Sequence, residues 1–96
     1  MLRTLTEESI TVGAAAVSLT ANNVFSNPLP DEVEILVTGA PINVRQDGTA
    51  PTAAVGETVN PFSYITLKDR DRIANFQAIR TGGTSATLWV RYLANH

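Results

Sequence analysis

The chain has 96 residues, nine acidic against seven basic, one histidine and a net charge of −2. Its scattered cations and isoelectric point near 5.2 give no clustered basic footprint for a nucleic-acid partner, and the absence of cysteine excludes disulfides, thiolate zinc sites and thiol catalysis. A chain this size makes one domain that buries roughly 64% of its unfolded surface, a modest core to whose small net stability a partner adds appreciably.

The first nine residues, MLRTLTEES, set Leu2 and Leu5 among polar neighbours. They have neither the basic nor the apolar block of a leader, and no run approaches the roughly 20 apolar residues that span a bilayer. Residues 1–9 are therefore expected to be a flexible tail or an arm that docks on a neighbour. Residues 10–96 are expected to be the folded domain of a soluble protein made in the cytoplasm.

Ser9 to Val12 and Ala16 to Thr20 are expected to pair as strands around Gly13. Asn22 to Asp31 reads as a loop, because Pro28 and Pro30 remove ladder donors and push Asn27 and Leu29 out of the helical region. Glu32 to Thr38 is the clearest strand, with Val33, Ile35 and Val37 on one face and Glu34, Leu36 and Thr38 on the other. Gly39-Ala40-Pro41 turns the chain into Ile42 to Arg45, read as apolar inward and polar outward. Asp47-Gly48 ends that strand. Thr49 to Pro61 is extended but poor in strand signal, and Tyr64 to Leu67 resumes the alternation.

Lys68 to Arg72 (KDRDR) reads as a charged turn. Phe76 to Arg80 follows as a strand, and Gly82-Gly83 supplies positive φ for a hairpin into Ser85 to Leu93. There Ala86, Leu88, Val90 and Tyr92 line one face, and Thr87, Trp89, Arg91 and Leu93 the other. Seven to eight short strands without an intervening helix predict an all-β fold, a single small antiparallel β-sandwich or jelly-roll-like barrel.

No residues form a catalytic, cofactor-binding or metal-ligating set, so no enzyme activity and no cofactor are expected. The one histidine, His96, is terminal, which leaves no ordered base for a Ser-His-Asp arrangement. Asp69 and Asp71 alternate with Arg70 and Arg72, which already neutralise them, so they read as a solvated turn rather than a metal clasp. Glu32 and Glu34 share a strand face but lack an enclosing cleft. Arg45 and Arg91 are read as solvated or paired with Asp47 or Glu34. Two readings stand for Trp89: it caps the core, or it anchors an interface. Leu2, Leu5, Phe25, Leu29, Phe62 and Trp89 are the candidate interface residues.

The stretches PINVRQDGTAPTAAVGETV and NFQAIRTGGTSATLWVRYL, with Val17 to Ala21 (VSLTA), resemble a group of small β-sandwich structural proteins of tailed bacteriophage virions. The resemblance covers most of the chain from about residue 10. It rests on an Ile-x-Val-Arg-x-Asp-Gly-Thr-x-Pro-Thr stretch from Ile42 to Thr52, then Gly56, then Phe76 to Arg80 and Ala86 to Tyr92. Departures are mild: Asn43 stands between Ile42 and Val44, and the loop Asn27-Pro28-Leu29-Pro30 looks particular to this chain.

The resemblance implies a capsid decoration or cement protein that binds the major capsid protein on the outer shell and bridges its subunits. It would be a homo-oligomer, with a trimer favoured, touching neither nucleic acid nor membrane and located on the virion after synthesis in the host cytoplasm. The alternative is a head-completion, tail or fibre module that binds a host glycan or protein. Within the motif, Arg45, Asp47, Gly48, Thr49, Pro51, Thr52 and Gly56 read as a structural turn, with a contact loop as the alternative. Asp47 accepts from the amides that follow, Gly48 takes positive φ, and Pro51 keeps the return segment extended so that it crosses between sheets.

Overall fold

Alternation of aliphatic and polar residues builds two sheets that bury one face each. The computed structural model describes residues 2–95, without the side chains of Leu2 and Asn95, and leaves Met1 and His96 outside the described residues. The strands are β1 (Leu2–Val12), β2 (Val17–Ser18), β3 (Glu32–Thr38), β4 (Ile42–Arg45), β5 (Glu57–Val59), β6 (Tyr64–Leu67), β7 (Gln77–Arg80) and β8 (Ala86–Asn95). They form two four-stranded sheets with the orders β1-β8-β3-β6 and β2-β7-β4-β5. All neighbours are antiparallel, and every connection except β4 to β5 passes between sheets. This is the jelly-roll connectivity of an open sandwich.

The core sits between the sheets. Val33, Ile35 and Val37 of β3 and Ala86, Leu88, Val90 and Tyr92 of β8 face Ile42, Val44 and Ala78 of the second sheet, all buried. The accessible surface of 5247 Å² matches what a compact chain of this mass exposes.

Several expectations are corrected. Residues 2–9 are neither tail nor arm: they belong to β1, which pairs along its length with β8 apart from a bulge between Thr4 and Thr6. Half-buried Leu5 packs against the core from that bulge. Strands β1 and β2 do not pair around Gly13, since β2 lies against β7 in the other sheet. Gly82-Gly83 makes no hairpin and takes no positive φ, because β7 and β8 belong to different sheets and the segment between them passes from one to the other. The Pro51 segment makes the opposite error: β4 and β5 share a sheet, so it does not cross.

Two short helices also interrupt the strands, α1 (Ala21–Val24) and α2 (Arg70–Asn75). The expected charged turn is the start of α2. Asp69 caps it by accepting from the Arg72 amide at 2.9 Å, which satisfies one of the amides a helix start leaves free. Buried Ile73 and Phe76 then anchor α2 and the chain that leaves it to the core. No helix among the described residues is long and apolar enough to cross a membrane.

Candidate functional site

The outward face of the β1-β8-β3-β6 sheet is the most distinctive surface of the molecule. Strand pairing places Ser9, Trp89, Leu36 and Tyr64 side by side in one row across all four strands. The next row is Glu7, Arg91, Glu34 and Thr66, and on the other side Thr11, Thr87 and Thr38 form a row of hydroxyls. An apolar row thus lies between a charged row and a threonine row. Trp89 and Tyr64 are 55% and 69% exposed, so the expectation that Trp89 caps the core fails. Together with Leu36, Glu7, Glu34 and Arg91 these rings line an open groove of about 550 Å³.

The groove is held in shape by its own polar contacts. The Trp89 indole Nε1–H donates to Thr38 Oγ1 at 3.2 Å, and the Thr38 hydroxyl donates to the Thr87 carbonyl at 3.1 Å, so the ring is tethered to the neighbouring strand. Arg91 turns to Glu7, with Nε 3.4 Å from Oε1, rather than to Glu34. Glu34 therefore has no ion pair or side-chain hydrogen bond among the described residues.

Phe62 lies just before β6, at a bulge where Phe62 and Ser63 both bond to Val37: the Val37 amide donates to the Ser63 carbonyl and the Phe62 amide to the Val37 carbonyl. It is 80% exposed and takes φ +67°, a left-handed conformation that costs a bulky residue roughly 1–2 kcal/mol. Its amide donates to the Val37 carbonyl, which holds the backbone there. An exposed ring on strained backbone gains no packing in return, a combination that points to function.

Phe25 and Leu29 lie apart from that face, on the loop after α1. They are 64% and 48% exposed. The loop is braced: Ser26 Oγ bonds the carbonyls of Asn23 (3.1 Å) and Pro28 (2.9 Å), and Arg70 Nη1 donates to the Pro30 carbonyl at 3.2 Å while its guanidinium stands 5.7 Å from the Phe25 ring centroid. The six candidate interface residues thus divide. Trp89 is at the sheet face, Phe62 on the bulge before β6, Phe25 and Leu29 on the braced loop, and Leu5 on the core, while the side chain of Leu2 lies outside the described residues. Leu36 and Glu34 complete the face although neither was a candidate, because only the pairing of β3 with β6 and β8 brings them between the two rings.

The seven turn-motif residues do form one ordered loop. Arg45 grips Asp47 with two bonds, Nε to Oδ1 at 3.2 Å and Nη2 to Oδ2 at 2.6 Å. The Thr49 amide donates to Asp47 Oδ1 at 3.0 Å, and Gly48 takes φ +85°. The Arg45 bonds first, then the Thr49 amide, draw the Asp47 carboxyl down from 3.8 to about 2. Thr52 Oγ1 accepts from the amides of Ala54 and Val55. The loop folds back over the outer face of the second sheet, and its keystone is Asn43, which is buried rather than outward as expected. Asn43 Nδ2 donates to the carbonyls of Thr52 (3.0 Å) and Ala53 (3.1 Å), and its Oδ1 accepts from Thr58 Oγ1 at 2.7 Å. Pro51 is buried beside it.

One carboxylate, Glu8, points inward at the open end of the sandwich. It accepts from Thr20 Oγ1 at 2.5 Å, Asn23 Nδ2 at 2.9 Å and the Tyr92 hydroxyl. Burial pushes the Glu8 carboxyl up, but the bonds from Thr20, Tyr92 and Asn23 outweigh it and leave it below its ordinary value. This network ties β1 and β8 to α1. Among the described residues no group of three acids, histidines or cysteines is placed to hold a metal. The chain matches no protein-family model, no curated protein and no solved structure.

Proposed function

We propose that the chain is a non-enzymatic structural protein of a tailed-phage virion, a decoration or cement protein that seats on the outer capsid shell and bridges subunits of the major capsid protein. The reading starts from the resemblance carried by Ile42 to Gly56 and Phe76 to Tyr92. The structure puts those residues to work as scaffold: strands β4, β7 and β8, the Asn43-pinned loop and the core.

The observation that carries the reading is the braced loop at the α1 end. Phe25 and Leu29 are held exposed by Ser26 and Arg70, so little side-chain and loop freedom is lost on docking. An exposed aromatic ring beside an arginine matches the residue types enriched at protein interfaces, and Leu29 extends the apolar contact. Strand β1 adds an eleven-residue edge, a ladder on which a second copy can pair. Self-association, with a trimer as the expected state, belongs to the same reading.

Quantifying the chain in purified particles tests it. Hundreds of copies over the head, together with shells that lose resistance to heat and chelation without it, are the expected result. The Phe25→Ala/Leu29→Ala double variant is expected to fold normally and fail to bind shells. A few copies at one vertex would move the chain to a head-completion, tail or fibre role, and absence from particles would end the reading.

A further inference from the structure

The outward face of the β1-β8-β3-β6 sheet is not used by that docking. We propose that this face is a binding site for a neutral, extended polysaccharide, with Trp89 and Tyr64 stacking on two alternate sugar rings and Glu34 and Arg91 bonding hydroxyls between them. The inference stands on the face alone and does not depend on the virion reading.

Spacing is the first argument. Trp89 and Tyr64 occupy one row with Leu36 between them, so their Cα atoms are two strand spacings apart, roughly 9.5 Å. That is about the length of a disaccharide unit, the distance at which an extended chain with a two-fold twist presents the same ring face again. Both rings are more than half exposed, and the indole is tethered through Thr38, so the platform exists before any ligand arrives.

Charge complementarity selects the ligand. Glu8, next along β1, points the other way and is bonded to Thr20, Asn23 and Tyr92, so it adds no charged side chain to the face. Arg91 uses Nε on Glu7 and its guanidinium makes no other bond among the described residues, which leaves four donors. Glu34 keeps its full acceptor capacity. One available acceptor group beside one available donor group suits a ligand whose hydroxyls both donate and accept. A polyanion would meet Glu34 and a polycation would meet Arg91. A dry protein interface is a poorer fit, because charged residues are depleted from the centres of such interfaces and here they adjoin the aromatic row.

Trp89 is the only tryptophan, so its fluorescence reports from the site itself. The purified chain is titrated with cellohexaose and N-acetylchitohexaose, and with maltohexaose and dextran sulfate for comparison. The expected result is a saturable shift in emission with at least one of the first two and none with the others. Tyr64→Ala and Glu34→Gln should each weaken binding by about tenfold at unchanged thermal stability, since Tyr64 is largely exposed and Glu34→Gln keeps the side chain's size and breaks no side-chain hydrogen bond or ion pair seen among the described residues. Trp89→Ala, followed by calorimetry, should abolish binding. The proposal is overturned if no oligosaccharide shifts the emission, if Tyr64→Ala binds as the parent does, or if maltohexaose or dextran sulfate binds equally well. It is also overturned if the emission depends on protein concentration without sugar, which would mean that a second copy covers the face, or if Tyr64→Ala sheds the chain from capsid shells.

Discussion

A methyl group placed on Gly56 would come within 3.1 Å of Asn43 Cβ and 3.1 Å of the Val44 carbonyl oxygen. Backbone and amide side chain are therefore fitted to each other, and Gly56 also takes φ +142°. Gly56→Ala is expected to cost about 2–3 kcal/mol from backbone strain and contact together. Asn43→Ala leaves the Thr58 hydroxyl and two loop carbonyls without their partner, and is expected to cost about 2–3 kcal/mol. Urea unfolding measures both. Gly82→Ala and Gly83→Ala are the controls: nothing lies within 4 Å of either added Cβ and neither φ is positive, so both are expected to be neutral or slightly stabilising.

Acid should loosen the α1 end first. The Glu8 carboxyl lies below its ordinary 4.5 in the fold, so the folded chain binds fewer protons than the unfolded one in that range. Its stabilisation is complete above about pH 4.5 and is lost as the pH falls through the depressed value. Unfolding midpoints in urea between pH 6 and pH 3 are expected to be flat at first and then to fall, and Glu8→Gln to be less stable at pH 6 with a shallower acid decline. Tyr92→Phe removes one donor to the carboxylate while keeping the buried ring, and should cost about 2 kcal/mol at pH 6. Equal acid slopes in the parent and Glu8→Gln would refute the assignment.

The Arg45–Asp47 pair is solvent-exposed, so it orders the loop more than it stabilises the domain. Its signature is a titration. The Asp47 carboxyl carbon, followed by NMR, should titrate at about 2 in the parent and move up toward 3.8 in Arg45→Ala, because the guanidinium is the larger of its partners. Thermal stability near pH 7 should hardly change.

Local patterning made parts of this fold legible. Val33, Ile35 and Val37 alternate without interruption, as do Ala86, Leu88, Val90 and Tyr92, and their inward faces are as expected. Only the end of β1, Ser9 to Val12, was legible; its first part was hidden because it is an edge strand whose residues Arg3, Thr4, Thr6 and Glu7 are wet, and because the bulge at Thr4/Thr6 breaks its period. The helices are four and six residues long, too short to show a 3.6-residue rhythm. Sheet membership is set by pairings far apart in the chain, which is why Gly82-Gly83 looked like a hairpin. The same cause hid the candidate site, since Tyr64, Leu36 and Trp89 become neighbours only through β6-β3-β8 pairing. Asn43 in an alternating strand looks like any outward polar residue until the loop that covers it is known.

Phe62 offers the sharpest separation of stability from function. Its φ of +67° strains a residue with a Cβ, and its ring is almost wholly in water, so removing the side chain forfeits little burial. Phe62→Gly relieves roughly 1–2 kcal/mol of left-handed strain, and the greater freedom of glycine in the unfolded chain takes back about half of it. The variant is therefore expected to be more stable than the parent by about 0.5–1 kcal/mol in urea unfolding, with the Phe62 amide still bonded to Val37. Tyr64→Ala, exposed but on relaxed backbone, should show no such gain, which makes the pair a test of strain rather than of exposure. A Phe62→Gly variant less stable than the parent would show that the ring packs on the protein after all.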